Sequence, residues 1–166
     1  MAYLLTFIAH YLTQNRMKLH VSIAILMLAV FSSNANAQQP KAHINHVAIY
    51  VVDLQKAGDF YMNILGLDSI PEPFHDGKHI WLRIGPGSAM HIIQGAETKK
   101  EYYKNDHTCF SVASVVDFTE KLKQNSIPFE DVSGKQMAIS SRVDGIKQIW
   151  LRDPDGYWLE INDAKD

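Results

Sequence analysis

From Asn45 the chain alternates, with Val47, Ile49 and Val51 on one face of an extended segment and His46, Ala48 and Tyr50 on the other. A period of two in β-branched residues predicts a half-buried strand. The period then changes. Behind Asp53, a residue suited to capping, Ala57, Phe60, Tyr61, Ile64 and Leu65 recur at helical spacing, and Gly66 supplies the stop. Short strands are expected next at 80–84 and 89–93, on either side of the turn Gly85-Pro86-Gly87.

The same order restarts at His107, sixty-one residues after His46. Thr108, Phe110 and Val112 face one way, while His107, Cys109 and Ser111 face the other. Ser114 stands where Asp53 stood, and with Asp117 it forms a variant of the capping box for a helix carrying Val115, Phe118, Thr119 and Leu122. Asn125 suits its end. Strands are expected again at 136–140, 148–152 and 157–161, the last two joined by the turn Asp153-Pro154-Asp155-Gly156. A repeat of about sixty residues is too long for a solenoid unit and too short to stand as an independent domain. The expected architecture is therefore α+β, two βαβββ modules over about 43–97 and 105–163 sharing one core.

Composition agrees with one globular domain: 166 residues, 46% apolar and 20% charged. The formal net charge of −2, with no clustered basic stretch, argues against a nucleic-acid partner. Cys109 is the sole cysteine, which excludes an intramolecular disulfide. The first 37 residues hold no Asp or Glu, and from Met17 they have the form of an export leader. Met17-Lys18-Leu19-His20 precedes the apolar stretch from Val21 to Phe31, and Ala35-Asn36-Ala37 fits the small-residue cleavage pattern. At helical rise that stretch covers about 16 Å, half a hydrocarbon core. Residues 1–37 are thus expected to be a signal peptide cleaved near Ala37, delivering 38–166 as an exported domain. Membrane contact is expected only through an uncleaved leader.

Each repeat offers one metal-capable residue at the start of its first strand, His46 and His107, and one on its last strand, His91 and Glu160. By alternation all four lie on the face turned away from the helix-packing residues. Taken singly, a histidine at a strand start is ordinarily a hydrogen-bonded surface residue. Four such residues at equivalent places in two repeats are harder to assign to structure alone. Trp81, Trp150 and Trp158 share that face by alternation and otherwise serve packing. His43, His75 and His79 have no counterpart in the repeat and are expected at the surface, and Arg83 and Arg152 are available to an acidic substrate or to solvent.

From about His43 to Asn162 the chain resembles the vicinal oxygen chelate superfamily, which includes glyoxalase I, bleomycin-resistance proteins, fosfomycin-resistance transferases and extradiol dioxygenases. The resemblance rests on Asn45-His46-Val47-Ala48, Val52-Asp53-Leu54 and Asp59-Phe60-Tyr61 with Leu65-Gly66-Leu67. It continues through His107-Thr108-Cys109-Phe110-Ser111-Val112 to Asp153-Pro154-Asp155-Gly156-Tyr157-Trp158-Leu159-Glu160. It implies a U-shaped, mostly antiparallel cleft, a homodimer, and one divalent metal (Zn, Ni, Fe or Mn) held by His46, His91, His107 and Glu160. His91 departs from the Glu or Gln usual at its place. It is either a fourth ligand or a proton-handling neighbour of the two-histidine, one-carboxylate set His46, His107 and Glu160.

Three activities follow from the resemblance. The first is a glyoxalase I-like lyase or isomerase, with Glu160 and His91 as catalytic groups and a small substrate chelated through two oxygens. The second is ring cleavage of a catechol, although Trp150 and Ser141 occupy the region where such enzymes keep further acid groups. The third is a binding protein without chemistry, which would have no need of four retained ligands.

Overall fold

The computed structural model describes His10 and residues 41–165. The chain divides into two compact units, Met1–Ala42 and His43–Asp166. The expected leader and its cleavage point lie outside the described residues, His10 apart. Among the described residues no helix is long and apolar enough to cross a membrane.

The second unit holds eight strands and two helical segments in the order βαβββ–βαβββ. β1 (His46–Val51) buries Ile49 and Val51 and exposes His46, Ala48 and Tyr50, as its alternation requires. Asp53 caps α1 (Leu54–Asp59), its carboxylate accepting the Lys56 N–H at 3.0 Å. The expected uninterrupted α-helix instead widens into a π turn at Phe60–Ile64, where the Leu65 N–H reaches back to Phe60 C=O at 3.3 Å. The apolar stripe persists through that turn, since Ala57, Phe60 and Tyr61 are all buried. α2 (Val115–Gln124) starts at Ser114, whose hydroxyl accepts the Asp117 N–H at 3.2 Å, and it buries Val115, Phe118, Thr119 and Leu122.

The remaining strands are β2 (Ser69–Ile70), β3 (His79–Gly85), β4 (Ser88–Gln94), β5 (His107–Ser111), β6 (Ser140–Ser141), β7 (Lys147–Arg152) and β8 (Trp158–Asn162). They form two open sheets of the same topology, β1-β4-β3-β2 and β5-β8-β7-β6. In each the first strand of the module lies parallel to the last, and the other pairings are antiparallel. The strand expected at 136–140 is replaced by single bridges from Glu130 to Gln136 and Trp150, with only Ser140 entering a ladder. Met137 at φ 55° breaks the extended run, and its N–H turns to Phe129 C=O.

One core spans both modules, drawing Ile49, Val51, Met90 and Ile92 from the first and Leu122, Ile149, Leu151 and Ile161 from the second. Fully burying such aliphatic side chains stabilises the fold by about 1.5–3 kcal/mol each. Polar contacts fix how the modules meet. The Asp153–Gly156 turn brings Asp155 to the Val52 N–H at 2.8 Å and Asp153 to the Tyr61 hydroxyl at 2.9 Å. The Tyr157 hydroxyl accepts the Tyr50 N–H at 3.1 Å, on the edge of β1 away from β4.

Candidate functional site

Strand register makes the two modules chemically comparable. His91 sits opposite Ala48 on one side and Trp81 on the other, while Glu160 sits opposite Cys109 and Trp150. Each therefore holds the same place in its own sheet, on the face away from the core. Both are buried, at 6% and 8% exposure, whereas His46 and His107 begin the edge strands and are exposed.

In the first sheet His46 lies 5.2 Å from the Trp81 ring and 6.3 Å from the His91 ring, centre to centre. Its Nδ1 is 2.9 Å from Asn45 Oδ1. That bond places the proton on Nδ1 and leaves the Nε2 lone pair free. His91 is stacked between Trp81, at 4.3 Å, and Phe74, at 5.6 Å. Its Nε2 is 2.6 Å from His79 Nδ1. Burial, with His79 and His46 alongside, holds the His91 imidazole below the ordinary histidine range.

In the second sheet His107 Nδ1 is 3.2 Å from Asn105 C=O, so its Nε2 is again the free nitrogen, and it lies 3.4 Å from Glu160 Oε2. The other Glu160 oxygen accepts from Asn162 Nδ2 at 3.0 Å. The same amide approaches Cys109 Sγ at 3.1 Å. Burial, and then the Glu160 carboxylate, push the Cys109 thiol up to about 11, so at neutral pH it is not a thiolate nucleophile. Lys104 covers this face. Its ammonium lies over Trp150 and Trp158, 5.3 and 5.4 Å from the ring centres, and is tied to Glu130 at 2.7 Å.

A nitrogen and an oxygen 3.4 Å apart match two neighbouring donors around one cation with bonds of about 2.0–2.2 Å. His107 and Glu160 thus have the spacing of half a coordination shell. His46 and His91 share a face of the other sheet. Among the described residues, however, no three His, Cys, Asp or Glu side chains come together closely enough to hold a metal ion. The structure therefore brings the four sequence-nominated residues together as two pairs, one per sheet.

The tryptophans flagged by alternation do line these faces: Trp81 stacks on His91 and Trp150 meets His107 edge-on at 4.4 Å. Their indole N–H groups are both buried and find no acceptor among the described residues. His43 and His75 are exposed, as expected. His79 is not a free surface residue; it is half-buried against His91. It has no histidine or carboxylate counterpart in the repeat, because Gln148 holds the equivalent place, opposite Asn162 as His79 is opposite Ile93. Its position two residues before Trp81 on the same strand face was the available signal. Asn162, which holds Glu160, was also missed, although it lies two residues on from Glu160 on the same face.

The model of the Glyoxalase/Bleomycin resistance protein/Dioxygenase superfamily matches residues 43–161, and the chain belongs to that family. It is 25% identical over 150 residues to a lactoylglutathione lyase of Pseudomonas putida, covering 70% of this chain and 82% of that one. A lactoylglutathione lyase of Salmonella typhimurium is 27% identical over 129 residues, covering 73% and 92%. The fosfomycin resistance protein FosX of Listeria monocytogenes shares the fold, with a TM-score of 0.60, 22% identity and coverage of 76% and 96%.

Proposed function

We propose that the protein is a metal-dependent lyase or isomerase of the glyoxalase I type, acting on a small substrate that presents two neighbouring oxygens. One observation carries this reading. His46 and His107 each spend Nδ1 on an oxygen just upstream, which leaves Nε2 free, and Glu160 stands 3.4 Å from one of those free nitrogens. That is the arrangement of prepared ligands, oriented by the groups behind them.

In this reading His46, His107 and Glu160 hold the ion, with His91 beside them, and the site is completed between two copies of the chain. Zn²⁺, Ni²⁺, Fe²⁺ and Mn²⁺ all suit imidazole with carboxylate, and this donor set does not choose among them. The bound ion supplies Lewis acidity toward the two substrate oxygens. Glu160, buried and steadied by Asn162, moves a proton between adjacent carbons, and His91 is the second group able to accept one. The buried Trp81 and Trp150 N–H groups lack acceptors among the described residues, which supports an oxygen-bearing ligand. The relatives named lactoylglutathione lyase support the reaction class.

A second reading is favoured by one contact. Because His79 occupies His91 Nε2, the ligand set contracts to two histidines and one carboxylate, which also serves catechol ring cleavage.

The test is elemental analysis of protein purified without chelator, beside Glu160→Ala and His107→Ala. About one metal per site is expected in the parent and a loss of affinity of at least about a hundredfold in each variant, the upper reach of what removing a ligand's support alone costs. The loaded protein should convert an α-oxoaldehyde mixed with a thiol into a thioester. Ring cleavage of a catechol under air with Fe²⁺, and no thioester, would favour the second reading; a parent that takes up no metal would sink both.

A further inference from the structure

His91 differs from the other two strand histidines. His46 and His107 turn Nδ1 to an oxygen and keep Nε2 free, whereas His91 has Nε2 within 2.6 Å of His79 Nδ1. The direction of that bond follows from what lies behind His79. Its other nitrogen, Nε2, is 3.4 Å from Asp76 Oδ2. The remaining Asp76 oxygen, Oδ1, accepts the Lys78 N–H at 2.9 Å, so the turn at 76–78 anchors the carboxylate with Oδ2 toward His79.

The carboxylate beside Nε2 favours a proton there, and unlike His107, whose Nδ1 donates to the Asn105 carbonyl, His79 has no oxygen at Nδ1 to draw that proton away. Neutral His79 then offers a lone pair at Nδ1, and the proton in the 2.6 Å contact belongs to His91 Nε2. Nδ1 is what remains to His91 as an acceptor. Ring rotation is hindered, because Trp81 stacks on one side with planes 20° apart and Phe74 on the other with planes 10° apart. Phe74 also stacks on His79 at 4.5 Å, so the loop before β3 covers both imidazoles.

We propose that Asp76 and His79 are positioning residues that hold His91 as its Nε2–H tautomer, making Nδ1 its working nitrogen. His91 is then the proton-accepting neighbour of the metal set rather than a fourth ligand through Nε2. That role rests on the proposed function, whereas the tautomer stands without it.

The test is nitrogen-detected NMR of the histidine side chains in the full chain at neutral pH, for the parent, His79→Leu and His79→Gln. In the parent, His91 should show a protonated Nε2 and an unprotonated Nδ1, the reverse of His46 and His107. His79→Leu removes the acceptor and should average the two His91 nitrogens. His79→Gln keeps an acceptor oxygen and should restore the parent pattern. Bound Co²⁺ gives a second readout: its visible spectrum should be unchanged in His79→Leu, while kcat falls about 10–100-fold, the range for losing an outer partner, and recovers in His79→Gln.

A proton on Nδ1 of His91 in the parent would overturn the proposal, as would His91 signals that do not respond to His79→Leu. A Co²⁺ spectrum that changes in His79→Leu would make His91 a ligand and overturn the role assigned to Nδ1. Failure of the parent to bind Co²⁺ would remove the proposed function and leave the tautomer result readable.

Discussion

Asp153 is the buried carboxylate on which the modules meet. It is 5% exposed and accepts the Tyr61 hydroxyl and the N–H groups of Asp155 and Tyr157, each at 2.9 Å. Burial outweighs those bonds and pushes its pKa up to about 6. The unfolded chain holds this carboxyl near 3.8. Between those values the folded state binds more protons than the unfolded one, so stability from this group is full at low pH and is lost as pH rises through 6. Asp153→Asn keeps an acceptor for the backbone N–H groups and removes the buried charge. Between pH 4 and 7.5 the unfolding free energy of Asp153→Asn should gain on the parent by on the order of 2 kcal/mol. Urea midpoints at both pH values check this, and parallel pH profiles would show that the acid is not raised. At this scale the sequence nominated His46, His91, His107 and Glu160 through their recurrence. It hid His79, whose contact with His91 runs diagonally across β3 and β4 and has no counterpart in the repeat.

Element boundaries were legible where a local chemical device enforces them. Asp53 and Ser114 both cap through the N–H three residues on, and both helices bury the stripe their spacing marked. Ser114→Ala should therefore cost about 1 kcal/mol in urea unfolding, the usual value of such a cap. It should leave metal affinity unchanged, because α2 carries none of the four site residues; an unaltered midpoint would mean that the hydroxyl bond has no net worth. The π turn left no such mark. Its apolar positions satisfy helical spacing equally well, and the widening shows in the backbone bond from the Leu65 N–H to Phe60 C=O, which no side-chain pattern announces. The strand expected at 136–140, where the structure has isolated bridges instead, is the complementary case. Alternation there is short, and the left-handed Met137 decides the backbone.

At the scale of the molecule, duplication gives each module one pair of the nominated residues and the shared core joins the modules, but among the described residues no three of the four come together around one point. If the proposed site forms between copies, His46 and His91 of one chain face His107 and Glu160 of another, and twofold symmetry makes two equivalent sites per dimer. Mixing damaged chains tests this directly. His46→Ala and Glu160→Ala should each be inactive alone. A heterodimer of the two gathers both lesions in one site and leaves the other intact, so an equal mixture, unfolded and refolded together, should recover about a quarter of parental activity. Metal content should rise in the same proportion. Two variants damaged in the same half, His107→Ala with Glu160→Ala, supply the control. Their heterodimer has one lesion in every site and should recover nothing. If the first mixture stays as inactive as the second while each parent dimer refolds, the four residues do not meet across two chains.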